Sequence, residues 1–253
     1  MTTPLVNLTV PVLNEEAQLA ESVGKLRAFL QDHAGFTWEI VIADNGSTDR
    51  TAQIAEELGR RWPEVRAVHL PLKGRGRALR KVWSESSAEI LSYMDVDLST
   101  DLSAFPRLIE PLANGEYDVA TGSRLLPGSQ TTRCWKRELI SHAYNRLVRA
   151  CFRTRFSDAQ CGFKAITRKA AGELLPLVED DAWFFDTELL VWAERRGYRI
   201  LDLPVRWVED ADSRVKILRT SWQDLRGLLR LRRNLARNQA GSKWASSNSR
   251  AGP

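Results

Sequence analysis

Four apolar, β-branched runs, at 5–13 (LVNLTVPVL), 38–43 (WEIVIA), 65–70 (VRAVHL) and 88–94 (AEILSYM), alternate with helical patterns near 15–31, 48–60 and 76–87. Strand, helix, strand in this order predicts a parallel sheet, because parallel neighbours need a crossover connection and a helix supplies it. Ligands of such sheets bind beyond the carboxyl ends of the strands. Three polar clusters fall at those ends: NEE at 14–16, DNGSTD at 44–49 and DVD at 95–97.

After Pro106 the rhythm changes, to a strand near 117–121, a basic loop at 122–137, a helix to about 152, a strand and helix, a helix at 186–196 and a strand at 199–208. The expected organisation is one α/β domain over 1–217, a basic amphipathic helix over 218–237 and a disordered tail, rich in Ser, Asn, Ala and Gly, over 238–253. An apolar content of 43% in 253 residues is ample for that core. The net charge of +5 mixes 37 basic with 32 acidic residues, which argues against nucleic acid as a partner and favours an anionic substrate or surface. Cys134, Cys151 and Cys161 are odd in number and lack metal-ligand spacing, so a reducing, cytoplasmic setting is expected. No apolar run approaches the roughly 20 residues that span a bilayer. Membrane contact is therefore expected to be peripheral.

Asp95 and Asp97 leave a strand end from the same face. Hard carboxylate oxygens at this spacing suit Mg²⁺ or Mn²⁺ completed by substrate phosphates, although solvated strand-end carboxylates are the plain alternative. Asp44 ends the second strand, where it suits a base N–H or a ribose hydroxyl. Asp44-Asn45-Gly46 is also an ordinary turn tripeptide. The stretch KGRGRAL at 73–79 offers the flexible backbone of Gly76 and the charges of Lys73, Arg75 and Arg77 to a diphosphate, or simply leads into a helix.

The ordered set VPVLNEE, VIADNGSTDRT, KGRGRAL, DVD, GSR, DAQCGFK and FDTELL spreads the comparison over roughly residues 5–230. In this the chain resembles the family 2 glycosyltransferases, and more narrowly their polyprenyl-phosphate group, which includes dolichyl-phosphate glucosyltransferases and mannose synthases. The DAQCGFK form followed by WFFDTELL is more similar to the glucosyl branch, and Ser99 stands where mannose synthases usually carry glutamine. The resemblance implies a GT-A-type fold, a mostly parallel central sheet flanked by helices. It also implies a nucleotide-diphospho-sugar donor, UDP-glucose above GDP-mannose, a polyprenyl phosphate acceptor, and Mg²⁺ or Mn²⁺ as cofactor. By position it places Pro11, Leu13 and Glu15 at the nucleotide, Asp44 at the base, and Lys73 and Gly76 on the diphosphate side. Asp95 and Asp97 match the metal pair. Arg124 and Arg137 match arginines that meet the acceptor or donor phosphate, Arg214 and Lys216 close over the diphosphate, and Asp158 matches a carboxylate needed for transfer. The chain departs from the family's acidic pair by reading FDTE, which leaves Asp186 and Glu188 open between sugar binding and a helix start with Asp186 as its cap.

A phosphate monoester, with a second pKa of about 6, is already a nucleophile near neutrality. No base is then required, and His33, His69 and His142, outside every motif, are expected to be structural. On the 218–237 helix, Leu218, Trp222, Leu225 and Leu229 fall on one side and Arg219, Arg226, Arg230, Arg233 and Arg237 on the other. That pattern suits an anionic membrane surface on its cytoplasmic face, or alternatively a helix packing its leucines on the domain. A membrane-embedded partner protein is a further expectation. The rival activities are transfer to a soluble or polysaccharide acceptor, nucleotidyl transfer, and nucleotide-sugar binding without chemistry.

Overall fold

A computed structural model describes residues 5–209 and 217–248, with backbone alone at 217–221 and 239–248. Its first half follows the predicted alternation: β1 (Val6–Val12), α1 (Leu19–His33), β2 (Trp38–Asn45), α2 (Thr51–Arg61), β3 (Val65–Leu70), α3 (Arg75–Glu85) and β4 (Ile90–Met94). The second half adds α4 (Phe105–Ala113), β5 (Val119–Ser123), β6 (Gln130–Thr132), α5 (Trp135–Phe152), β7 (Phe163–Thr167), α6 (Arg168–Leu174), α7 (Phe185–Arg195), β8 (Ile200–Pro204), β9 (Arg206–Val208) and α8 (Ile217–Asn248). Seven strands form one sheet in the order β3-β2-β1-β4-β7-β5-β8, parallel except for β7, which runs against both β4 and β5.

Every residue of β1 is buried, because helices cover both faces of the sheet. Apolar residues such as Leu26 and Phe105 fill one side, from α1 and α4, while Trp83, Leu189 and Leu231 fill the other, from α3, α7 and α8. The buried polar groups of β1 are satisfied within the sheet: Asn7 Nδ2 donates to Glu39 Oε1 at 2.7 Å and Thr9 Oγ1 to Asn7 Oδ1 at 2.8 Å. Pairing of β1 with β4 stops at Thr9 and Tyr93, whereas pairing with β2 continues to Val12. Pro11, which has no N–H to donate, therefore lies where β1 has lost one neighbour. The two strands part there and open a cleft.

The described residues depart from the expected pattern in two places. The strand expected at 199–208 is two, since β8 ends at Pro204 and β9 turns away to pair with β6, a strand inside the predicted basic loop. The terminal helix α8 spans Ile217–Asn248. The helix also has an inner face the sequence pattern did not single out: Leu228, Leu231 and Leu235 are buried in the core, while Trp222, Leu225 and Leu229 remain exposed. Gly227 lets this inner face approach, because a Cβ there would stand 2.5 Å from the Phe184 ring.

Candidate active site

The carboxyl ends of β1, β2 and β4 bring together Leu13, Glu15, Asp44, Asp95 and Asp97, as the three polar clusters predicted. The loop after β1 is tied to the start of α2. Asn14, at φ +56°, accepts from Thr48 N at 2.7 Å, and Glu15 N donates to Thr51 Oγ1 at 2.7 Å. Asp44 is buried, accepting from Ser47 N at 3.1 Å and facing His69 Nδ1 at 3.3 Å. His69 therefore touches a candidate nucleotide residue rather than lying apart from the site. Its signal was the register of β3, which sets His69 opposite Asp44.

Asp95 and Asp97 follow β4, with Leu98 in a left-handed turn at φ +50°. Ser99 N donates to Asp97 Oδ1 at 2.9 Å and fixes that carboxylate. Asp95 N donates to Gly162 O at 3.2 Å, and its Oδ2 occupies the space of an absent side chain, 1.8 Å from where a Gly162 Cβ would stand. Among the described residues no group of three or more His, Cys, Asp or Glu side chains could hold a metal. Two hard carboxylates at a cleft fit an ion that takes its other ligands from a substrate phosphate, and do not fit a fully protein-ligated one. Desolvation raises the Asp95 carboxyl above its ordinary range, with Arg75 opposing and Asp97 reinforcing.

Arg75 is buried and spans the floor of the cleft. Its Nη1 donates to Asp95 Oδ1 at 3.1 Å and its Nη2 to Asp186, which also accepts from Tyr93 Oη and lies 3.2 Å from Lys164 Nζ. Asp186 thus neutralises a buried cationic pair and does not cap α7, whose first residue is Phe185. Glu188 is likewise buried, accepting from Asp180 N at 2.9 Å and Arg230 Nη2 at 3.0 Å. Arg230 therefore turns inward, away from the outer basic row expected for it. Of the Gly-rich stretch, Arg77 is held by Asp181, and Gly76 packs its α-carbon against Asp180 and Phe185; Lys73 alone of its basic residues is exposed. Lys164, which the sequence reading of DAQCGFK passed over, folds under its own loop to donate to Cys161 O at 2.6 Å.

Across the cleft, Arg124 donates through Nε and Nη2 to Asp158 at 2.7 and 3.0 Å. Burial alone would raise the Asp158 carboxyl, but Arg124 outweighs it and holds the group at about 2. Arg137 is held by Glu209, and Trp207 of β9 lies beneath Arg124 at 5.5 Å. Arg214 and Lys216 lie outside the described residues.

Among curated proteins, the chain is 38% identical to glycosyltransferase AglD of Haloferax volcanii over 86% of its own length and 37% of the relative's. It is 31% identical to dolichyl-phosphate beta-glucosyltransferase ALG5C of Trichomonas vaginalis, over 82% of this chain and 65% of that one. It spans, in other words, about a third of the first relative and under two thirds of the second. Its fold matches glucosyl-3-phosphoglycerate synthase from Mycobacterium tuberculosis, solved with Mn²⁺, UDP and phosphoglyceric acid, at a TM-score of 0.68 and 23% identity over 90% of this chain and 78% of that one. The expected GT-A architecture is the one observed. Residues 8–175 match the Glycosyl transferase family 2 domain, and the chain belongs to that family.

Proposed function

We propose that the chain transfers glucose from UDP-glucose to a polyprenyl phosphate with inversion at the anomeric carbon, using Mg²⁺ or Mn²⁺ at a membrane surface. The observation that carries this reading is the opposition, across one cleft, of the Asp44, Asp95 and Asp97 strand ends to the Arg124–Asp158 pair. One side suits a nucleotide diphosphate and the other an anion. The dolichyl-phosphate beta-glucosyltransferases among its relatives support the donor sugar and the lipid acceptor.

In the reaction an acceptor phosphate oxygen forms a bond to the anomeric carbon as the bond from that carbon to the donor diphosphate breaks. The electron pair leaves with UDP. No proton must be removed from an ionised phosphate, and this agrees with Asp186 and Glu188 being buried and committed to cations. Asp95 and Asp97 would hold a divalent ion, whose charge would offset that of the leaving diphosphate. Pro11, Leu13 and Glu15 would shape the nucleotide seat, with Lys73 at its rim. Asp158 acts through Arg124 as a positioning residue, since it has no exposed surface of its own. Arg137, steadied by Glu209, would meet the acceptor phosphate.

A lipid acceptor is favoured over a soluble one by exposed apolar side chains on two helices, Trp135 and Leu139 of α5 and Trp222, Leu225 and Leu229 of α8. No helix among the described residues is long and apolar enough to cross a membrane. The test is a donor and acceptor screen with purified protein, in Mn²⁺ and in excess EDTA. Transfer from UDP-glucose to a polyprenyl phosphate, lost in EDTA and in Asp97→Ala, is expected. Full turnover by Asp97→Ala in EDTA would remove the metal from this reading, and preference for GDP-mannose by about tenfold, some 1.4 kcal/mol, would replace the sugar.

A further inference from the structure

Arg133 directly follows β6, and its side chain is only 3% exposed. Its Nε and Nη2 are both buried without a hydrogen-bond partner. Arg75, Arg80 and Arg230 also leave a buried Nε unpaired, but each is held through its terminal nitrogens. Arg133 has no such compensation: its one ion-pair neighbour among the described residues, Glu138, stands at 3.9 Å, beyond hydrogen-bonding reach. Burial and then the nearby charge of Arg124 press its pKa down, and the more weakly acting carboxylates of Glu138, Asp158 and Glu209 do not offset them.

A buried guanidinium with unmet donors next to a second cation costs free energy in the unliganded protein. The arrangement is relieved when an anion enters. Position indicates which one. The β6 strand that leads into Arg133 pairs with β9, whose Trp207 lies under Arg124 and lines one cavity together with Asp95, Asp97 and Gly162. Arg133 directly follows Thr131 and Thr132, which pair with Trp207 and Val208, and lies close enough to Arg124 to feel its charge, which puts it on the Arg124 side. The arginines expected to meet the acceptor are already engaged, Arg124 by Asp158 and Arg137 by Glu209. Among the described residues, Arg133 is the arginine there whose buried donors have no partner.

We propose that Arg133 binds the phosphate of the acceptor, its Nε and Nη2 donating side-on to two phosphate oxygens. This rests on the reading of the acceptor as a phosphate ester, whether of a lipid or of a soluble molecule. A guanidinium edge presents two parallel N–H groups at the spacing of two phosphate oxygens, so the fit is to an anion of that shape.

The experiment compares the full chain with Arg133→Met and Arg133→Lys. Three quantities are read: the unfolding temperature with and without inorganic phosphate, the calorimetric affinity for UDP with Mn²⁺, and the KM for farnesyl phosphate with UDP-glucose. Arg133→Met is expected to unfold no earlier than the parent without phosphate, and to lose the phosphate-dependent rise that the parent shows. It should raise the KM by about tenfold or more while UDP affinity stays within about twofold. Arg133→Lys should recover part of the KM. A parent with no phosphate-dependent rise, an unchanged KM in Arg133→Met, or a fall in UDP affinity equal to the KM change would each overturn the assignment. If the parent transfers nothing to farnesyl phosphate yet Arg133→Met still abolishes the phosphate-dependent rise, the lipid acceptor falls and the phosphate site stands, with 3-phosphoglycerate as the next acceptor to assay.

Discussion

Asp158 lies fully buried against Arg124 and accepts from it three times, from Nε at 2.7 Å, from Nη2 at 3.0 Å and from the backbone N at 3.2 Å. Removing one partner leaves the other charge buried and unpaired. Asp158→Ala is expected to lose about 3–5 kcal/mol of stability in urea unfolding and at least about a hundredfold in transfer rate. The double variant Arg124→Met, Asp158→Leu should regain most of the stability and none of the activity, because an apolar pair of similar bulk needs no charge partner. The Asp158 carboxyl is held at about 2, below its ordinary 3.8, so its contribution is complete above pH 4 and fades as the pH falls towards 2.

Gly162 governs Asp95. A Cβ at 162 would stand 1.8 Å from Asp95 Oδ2, and the carboxylate must move to admit it. Gly162→Ala is expected to weaken UDP binding in Mn²⁺ by about tenfold or more in calorimetry, with a smaller change in metal-free UDP binding. Equal loss in both conditions would place the damage in the fold rather than at the carboxylate.

Asp224 gives the protein an alkaline weakness. Desolvation on the inner face of α8 raises its carboxyl from 3.8 to about 6, against the opposing hydrogen bond from Gln160. A carboxyl raised in the folded state costs nothing below the unfolded value, an increasing amount between the two values, and the full amount above the folded one. Asp224→Asn should therefore be more stable than the parent by about 2–3 kcal/mol at pH 8, and close to it at pH 4. Urea unfolding at the two pH values measures the difference.

The outer face of α8 is separable from its inner face. Trp222, Leu225 and Leu229 are 57, 42 and 54% exposed, so replacing all three by serine should leave the unfolding temperature within a few degrees, roughly the effect of surface changes. Flotation with anionic liposomes should fall by about tenfold or more. Leu231→Ala, at a fully buried position, should do the reverse: retain flotation and lose about 2–5 kcal/mol.

Strand-end carboxylates were legible because apolar runs and crossover helices fix which end of a parallel strand carries polar groups, and Asp44, Asp95 and Asp97 fall where that rule puts them. The antiparallel course of β7 was not legible, since a buried five-residue strand has the same composition in either direction. Asp186 and Glu188 stayed open between sugar binding and a helix start for a related reason: both do lie in the first turn of α7, though Phe184 and not Asp186 is its cap. Local propensity sees a carboxylate in a first helical turn, but Arg75 and Arg230, far away in sequence, determine what it does. Arg133 had no sequence signal of its own among the basic residues of 122–137. Only burial without a partner distinguishes it.

The reversed β7 also bears on how the site comes into being as the chain folds. Strands β1 to β4 come from neighbouring segments with short crossovers, so the side that carries Asp44, Asp95 and Asp97 closes few long loops. Seating β7 between β4 and β5 must instead pair Ile90 with Thr167 and Met94 with Phe163 across most of the acceptor half, at the entropic cost of a long closure. The loop that leads into β7 carries both Gly162, which meets Asp95, and Asp158, which meets Arg124. The first half of the chain by itself thus supplies the Asp44, Asp95 and Asp97 carboxylates without Gly162, Asp158 or Lys164, and the two sets of residues share one site only through the reversed strand.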